Sequence, residues 1–145
     1  MLSAELITAL QDIFPPERFY SDPTDCYAYA YDNSRKIFPP DAVVFPLTSK
    51  EVQRTITLCN YHQVPLIPRG RGTGTAGGSL PEQGGIALSM ERMLNIISVD
   101  PANRVIVTEP GVLNQSVQNA AKPHGFFWPP DPSSAAFSTV GGNIA

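Results

Sequence analysis

Residues 64–85 constrain this chain more than any other stretch. They read Val64-Pro65-Leu66-Ile67-Pro68, then Arg69-Gly70-Arg71-Gly72-Thr73-Gly74-Thr75, then Gly77-Gly78-Ser79-Leu80-Pro81 and Gly84-Gly85. A short apolar strand with prolines at its edges runs straight into a glycine loop. Glycine has no Cβ, so consecutive N–H groups can converge into a concave anion nest, at positive φ where needed. Arg69 and Arg71 add charge, and Thr73 and Thr75 add hydroxyl donors. A diphosphate is the natural occupant. A flexible surface loop is the other reading of such a run.

Two well-known phosphate folds do not fit. Gly72-x-Gly74-x-x-Gly77 spells the dinucleotide fingerprint, but that pattern works only when a helix opens from it and holds the pyrophosphate at its N-terminus. Gly78, Pro81, Gly84 and Gly85 leave no room for that helix before the next apolar strand, residues 86–89. A P-loop also fails, because no Gly-Lys-Ser/Thr follows at the required spacing.

The flanking sequence alternates strands and helices. Leu2, Leu6, Leu10 and Ile13 repeat at helical spacing until Pro15-Pro16 stops the run. Residues 15–41, rich in Pro and Tyr, read as an extended lead-in, with Tyr20, Tyr27, Tyr29 and Tyr31 covering a core rather than stacking on a ligand. Residues 42–45 form an apolar strand. Thr48-x-x-Glu51 is a capping box opening a helix to about His62, with Val52, Ile56 and Cys59 on one face. The strand–helix–strand unit 42–68 favours parallel pairing with a right-handed crossover. Residues 96–100 and 104–108 form a hairpin around Pro101-Ala102-Asn103. Val112, Leu113, Val117, Ala120 and Ala121 supply a second helix that Pro123 and Gly125 end. Residues 126–128 read as a short buried strand.

Composition narrows the function. A chain of 145 residues with 42% hydrophobic and 16% charged residues is an ordinary globular domain or part of one. Its net charge of −3 and scattered basic residues argue against a nucleic-acid partner. Cys26 and Cys59 lack metal spacing and read as reduced, partly buried thiols. No apolar run reaches the ~20 residues of a membrane span, and an N-terminus holding Glu5 and Asp12 is not a signal peptide, so the expected location is cytoplasmic.

Several ordered motifs now carry a resemblance. Asp41-Ala42-Val43-Val44-Phe45-Pro46 with the Thr48 helix start, followed by residues 65–75, resembles the opening of the FAD-binding domain of the vanillyl-alcohol-oxidase/p-cresol-methylhydroxylase type. Asp32-Asn33-Ser34, Glu109-Pro110-Gly111-Val112, Pro130-Asp131-Pro132-Ser133-Ser134 and Ser138-Thr139-Val140-Gly141-Gly142-Asn143 are most similar to the D-type subunit of glycolate oxidases and to related D-lactate dehydrogenases. The resemblance covers about residues 28–145.

It implies an α+β chain: an FAD-binding type 2 (PCMH-type) domain of two α+β subdomains, truncated here at its C-terminal end. Residues 1–27 are then an N-terminal helix and lead-in, residues 28–145 the incomplete FAD domain, and the substrate domain is absent. The implied cofactor is FAD. Its pyrophosphate falls to Arg69, Gly70, Arg71, Gly72, Thr73, Gly74 and Thr75. Pro130, Asp131, Ser133, Ser134 and Ser138 would lie against the ribityl chain and flavin. Gly141, Gly142, Asn143 and Ile144 would approach the cofactor closely, which would explain the missing side chains at 141 and 142. Some relatives tether FAD through a histidine in the glycine loop. The comparable position here is Thr73, and His62 and His124 lie outside the loop, so non-covalent FAD is expected. Gly72→Val is expected to weaken FAD retention without abolishing folding.

Full-length relatives oxidise 2-hydroxy acids, a hydride passing from the α-carbon to the flavin while a base takes the hydroxyl proton. The resemblance therefore implies the FAD-binding part of a glycolate- or D-lactate-type dehydrogenase or oxidase, inactive as a fragment. Its small-molecule substrate would be held by the missing C-terminal domain, and additional enzyme subunits are implied. No catalytic base or metal site is expected within this chain. A flavin enzyme of the same fold acting on another alcohol, or a non-catalytic nucleotide-binding module, are the other readings.

Overall fold

The computed structural model describes residues 2–145. Helix α1 (Ala4–Gln11) starts where the Ser3 hydroxyl accepts from the Leu6 N–H at 3.2 Å, and Leu6 and Leu10 are fully buried. Helix α3 (Ser49–His62) starts at Thr48, whose Oγ1 accepts from the Glu51 N–H at 3.2 Å. The other half of the capping box reaches back past the cap: the Glu51 carboxylate accepts from the Leu47 N–H at 2.6 Å, with the Thr48 backbone also favouring its charge. Arg18 holds the same carboxylate in a two-pronged pair, both bonds 2.9 Å. The helix ends at Gln63 in the left-handed region (φ 55°), which turns the chain into the next strand. Its buried residues are Thr55 and Cys59, with Val52 and Leu58 packed beside them, whereas Ile56 points outward.

The main sheet holds four strands in the order β1 (Phe19–Tyr20), β2 (Ala42–Val44), β4 (Ile86–Ser89) and β3 (Leu66–Arg69). Strands β2 and β3 each pair in parallel with β4. The expected strand–helix–strand crossover is therefore correct in direction but skips a place, because β4 inserts between its two strands. Alternation along β2 and β4 separates two cores. Ala42, Val44, Ile86 and Leu88 pack with Leu6, Leu10, Phe14 and Cys59, while Val43, Phe45 and Ala87 pack with Cys26, Tyr20 and Tyr29. A sheet buried on both faces explains why residues 42–45 are continuously apolar.

The lead-in is more ordered than its sequence suggested. Strand β1 (Phe19–Tyr20) adds to the sheet antiparallel to β2, and a short helix α2 (Pro23–Tyr27) follows with Asp22 as its cap and Pro23 at its first position. Tyr20 and Tyr29 cover the core as expected, but Tyr27 and Tyr31 are about half exposed.

The second part of the chain is a hairpin, β5 (Ile96–Asp100) and β6 (Val105–Thr108), with helices α4 (Asn114–Ala121) and α5 (Val140–Ile144). Ile96, Ile106 and Trp128 pack against Val112, Val117 and Val140. Val112 and Leu113 precede α4 rather than lying within it. The strand expected at residues 126–128 is absent: Phe126 and Phe127 are exposed, and Trp128 is held by side-chain bonds instead of a ladder.

Two parts of this architecture give direct stability tests. Burial works against ionisation of Glu51, but hydrogen bonds from Arg18 and Leu47 and the Arg18 charge outweigh it and hold its carboxyl below the usual value of 4.5. The folded carboxyl is then harder to protonate than the unfolded one. Its contribution is complete above about pH 4.5 and is lost as pH falls through the depressed folded value. Glu51→Gln should lower the urea unfolding free energy by about 2 kcal/mol at neutral pH and flatten the acid limb of the stability profile. Gly85 sits at φ +93°, where an added Cβ would overlap the Pro65 carbonyl oxygen. Gly85→Ala should cost about 2–4 kcal/mol in the same measurement, far more than the same change at Gly78, which has open space around it.

Candidate functional site

The glycine loop leaves the carboxyl end of β3, beside the carboxyl end of β4, which is where open parallel sheets place their ligands. No helix lies between Arg69 and Ile86, in line with the exclusion of the dinucleotide fingerprint. Each glycine here has its own physical cause. A Cβ on Gly70 would overlap Thr139 Oγ1, so the loop and the segment before α5 touch at this point. Gly72 has φ +66°, and its Cβ would overlap the Arg69 guanidinium. Gly74 is different: its φ is ordinary and nothing lies within 4 Å of an added Cβ. Neither backbone strain nor internal packing requires glycine there, and this face of the loop stands open to a ligand.

The two arginines part company. Arg71 is exposed. The Arg69 guanidinium turns inward, donates from Nη2 to the Tyr31 carbonyl at 2.7 Å and lies 5.7 Å from the centre of the Tyr29 ring. Burial pushes its pKa down, and Nη1 is buried without a hydrogen-bond partner among the described residues. Arg69 thus acts from behind the loop, as a clamp on residues 31–34. In that turn, burial of Asp32 opposes its charge, but bonds from Ser34 and the Gly77 backbone and the nearby Arg69 charge outweigh it and hold the carboxyl below its ordinary range. Asn33 donates from Nδ2 to the Thr73 carbonyl at 3.2 Å and from its backbone N–H to the Gly74 carbonyl at 3.0 Å. None of these partners is visible in the spacing of the glycines.

The downstream motifs are organised by Asn114, a fully buried residue that the sequence reading passed over. Its Oδ1 accepts from Trp128 Nε1 at 2.6 Å and from Asn143 Nδ2 at 3.0 Å, and its Nδ2 donates to the Pro130 carbonyl at 3.0 Å. Its backbone N–H donates to the Ser138 carbonyl at 2.9 Å. One residue therefore ties together residues 128, 130, 138 and 143, three of them through its side-chain amide. The only sequence signal is a polar residue set among the apolar residues of a helical stretch. Ser134 closes a turn by accepting from the Phe137 and Ser138 N–H groups. Asp131, Ser133 and Ile144 are exposed and make no hydrogen bond to residues 69–75 among the described residues. Ser138 Oγ is buried without a partner, an arrangement that favours a polar group from outside the chain.

Gly141 and Gly142 have causes within the chain. A Cβ on Gly141 would sit 2.8 Å from Pro110 Cβ and 3.0 Å from its carbonyl oxygen, and one on Gly142 would crowd Thr139 Oγ1 at 3.2 Å. Thr139 caps α5 by accepting from the Gly142 N–H at 3.3 Å. The missing side chains at 141 and 142 thus serve packing against Pro110 and the start of a helix. The structure also changes the reading of Gly72, since valine there would strain the backbone and displace Arg69. Gly74 is the position where a side chain tests the loop alone.

An open groove of about 860 Å³ runs along the hairpin, between Val105, Val107, Phe126, Trp128 and Val140. It meets the candidate site only at Gly141 and Ile144, and its lining is mostly apolar. A diphosphate does not belong there, and the glycine loop remains the better anion site. Loop glycines, an exposed arginine, threonine hydroxyls and an unpartnered buried serine beside them fit a dinucleotide cofactor with its diphosphate on the loop.

Comparisons with known proteins agree with this geometry. The pattern of the FAD binding domain family matches residues 40–145. The chain is 37% identical over 145 residues to glycolate oxidase subunit GlcD of Bacillus subtilis (strain 168), covering 99% of this chain and 31% of that protein. It is 37% identical over 144 residues to the D-lactate dehydrogenase of Archaeoglobus fulgidus, covering 96% of this chain and 30% of that one. Among solved structures, p-cresol methylhydroxylase superposes with a TM-score of 0.80 at 19% identity, covering 97% of this chain and 28% of that one, a likeness of fold. The chain spans about a third of the length of these relatives. No helix among the described residues is long and apolar enough to cross a membrane. The chain belongs to the FAD-binding domain family, with the PCMH-type fold and FAD as its expected cofactor.

Proposed function

We propose that this chain is the FAD-binding part of a flavin-dependent dehydrogenase or oxidase of a 2-hydroxy acid, of the glycolate or D-lactate type. The observation that carries the proposal is the open side of Gly74, in a loop that meets Thr139 at Gly70. Residues 70–75 hold the pyrophosphate, with Arg71 as the outward charge, while Asp131, Ser133, Ser134 and Ser138 line the approach to the ribityl chain. Arg69 supports the loop from within. The names of the relatives support the substrate class. FAD supplies the hydride-accepting chemistry, and this chain contributes binding and orientation.

Attachment is non-covalent. Position 73 is a threonine, His124 stands exposed beyond α4, and His62 sits in the last turn of α3. Cys26 and Cys59 are buried free thiols, both pushed up to about 11, chiefly by burial, and are poor nucleophiles. The base that takes the substrate proton and the residues that bind the 2-hydroxy acid belong to the larger part of the relatives' length. Further enzyme subunits are the proposed partners, and the cytoplasm the proposed location.

The first test is a visible spectrum of the protein expressed through its natural stop codon and purified. Flavin absorbance that acid precipitation releases to the supernatant is expected. Colour retained in the pellet would overturn non-covalent attachment, and a colourless protein unresponsive to added FAD would overturn the function. The second test addresses the loop. Gly74→Val should weaken FAD binding by about 10-fold or more, while its unfolding free energy stays within about 0.5 kcal/mol of the parent. Undiminished FAD binding would remove residues 70–75 from the pyrophosphate site.

A further inference from the structure

We propose that Asn33 is a positioning residue that aims the N–H groups of Gly74 and Thr75 at the cofactor's diphosphate. The inference rests on the FAD reading of the loop given above. Asn33 takes two consecutive loop carbonyls: its Nδ2 donates to Thr73 O at 3.2 Å, and its backbone N–H donates to Gly74 O at 3.0 Å. The chain contains no cis peptide bond among the described residues. In a trans peptide the carbonyl and the following N–H point in opposite directions. Drawing the Thr73 carbonyl toward Asn33 therefore turns the Gly74 N–H away from it, and drawing the Gly74 carbonyl does the same for the Thr75 N–H. Neither N–H has a hydrogen-bond partner among the described residues. Both flank the Gly74 Cα, the one loop position whose missing side chain leaves open space at an ordinary φ. Two oriented donors and an open face thus share one spot.

Holding the turn together does not account for this arrangement. The 31–34 turn is closed by Asp32, whose Oδ1 accepts from the Ser34 N–H at 2.8 Å, and is clamped from below by Arg69 on the Tyr31 carbonyl. Asn33 itself is exposed, so burial does not force its side chain to find a partner. Among the described residues, its amide is the one side-chain group on that turn that bonds residues 69–75 from outside. The two bonds are also separable. The backbone bond to Gly74 survives most substitutions, whereas the bond to Thr73 needs the side-chain NH2. Removing that side chain frees the Thr73–Gly74 peptide to rotate and leaves the Gly74–Thr75 peptide in place.

The test uses the isotope-labelled protein expressed through its natural stop codon, and ADP as a probe that carries the diphosphate without the flavin. In the parent, ADP should shift the Gly74 and Thr75 amide resonances more than any others in residues 69–77. A scalar coupling across the Asn33 N–H to Gly74 carbonyl bond should be present before ADP is added. In Asn33→Ala that coupling should persist, the Gly74 shift should collapse while the Thr75 shift remains, and ADP and FAD affinity should each fall by about 5–10-fold. Asn33→Asp keeps the shape but replaces the donor by a carboxylate facing Thr73 O, and should lose more affinity than alanine. Equal shifts and equal affinity in Asn33→Ala, with FAD still bound by the parent, overturn the role of Asn33 and leave the function standing. A parent that shows the coupling yet binds neither ADP nor FAD overturns the function, and the role of Asn33 with it. A missing coupling in the unliganded parent overturns the loop geometry itself.

Discussion

A methyl group on Gly85 would overlap the Pro65 carbonyl oxygen, and the chain passes this point with φ +93°. The same carbonyl accepts from the Ile86 N–H at 2.9 Å, while the Asp41 carboxylate accepts from the Gly85 N–H at 2.7 Å and the Gly85 carbonyl accepts from the Asp41 N–H at 2.8 Å. Three strand entrances are thereby fixed at one place: β2 through Asp41, β3 through Pro65 and β4 through Gly85. Once β4 is locked between its neighbours, the register puts Arg69 opposite Ser89. The point where β3 releases the glycine loop is then set to within a residue. The loop gains a rigid base without any helix beneath it.

From that base, the glycines divide by what they face. Gly70 admits Thr139, Gly72 admits the Arg69 guanidinium, Gly85 admits Pro65 and Gly141 admits Pro110. These four exist because the chain packs against itself, whereas within residues 69–75 Gly74 combines an ordinary backbone with an empty approach. A run of glycines is thus a mixture of internal and external requirements. The identity of the residue alone does not separate them, because both reduce to the absence of a Cβ.

This division marks what the sequence could reveal. Periodicity located α1, α3 and the hairpin, since helix and strand repeats are written along the chain. Residues 42–45 and 86–89 were legible as strands because burial on both faces makes them continuously apolar. What escaped depends on contacts distant in sequence. Strand β1 has only two residues and exists through its pairing with Val43 and Val44, so no periodicity could announce it. The inward turn of Arg69 depends on Tyr31, and the hub at Asn114 depends on Trp128 and Asn143. Residues 126–128 looked apolar enough for a buried strand, yet no neighbour among the described residues offers them a ladder, and the Phe126 and Phe127 rings remain at the surface.

The inward turn of Arg69 also changes the physical character of the site. Two arginines in the 69–75 loop suggested that charge attracts the anion. With Arg69 buried behind the loop, Arg71 is the exposed cation of that segment, and in the proposed pyrophosphate site backbone donors supply the rest. Oriented N–H groups act over short range and demand a defined geometry, whereas an exposed lysine or arginine binds many anions from many directions. A chain of net charge −3 gains little from long-range attraction of a negatively charged dinucleotide. Recognition then depends on how firmly the loop peptides are held before the ligand arrives. Pre-organisation of this kind limits the ordering cost on binding. It also explains why so much of the surrounding structure, from the Asp32 turn to the Thr139 contact, is committed to a loop of seven residues.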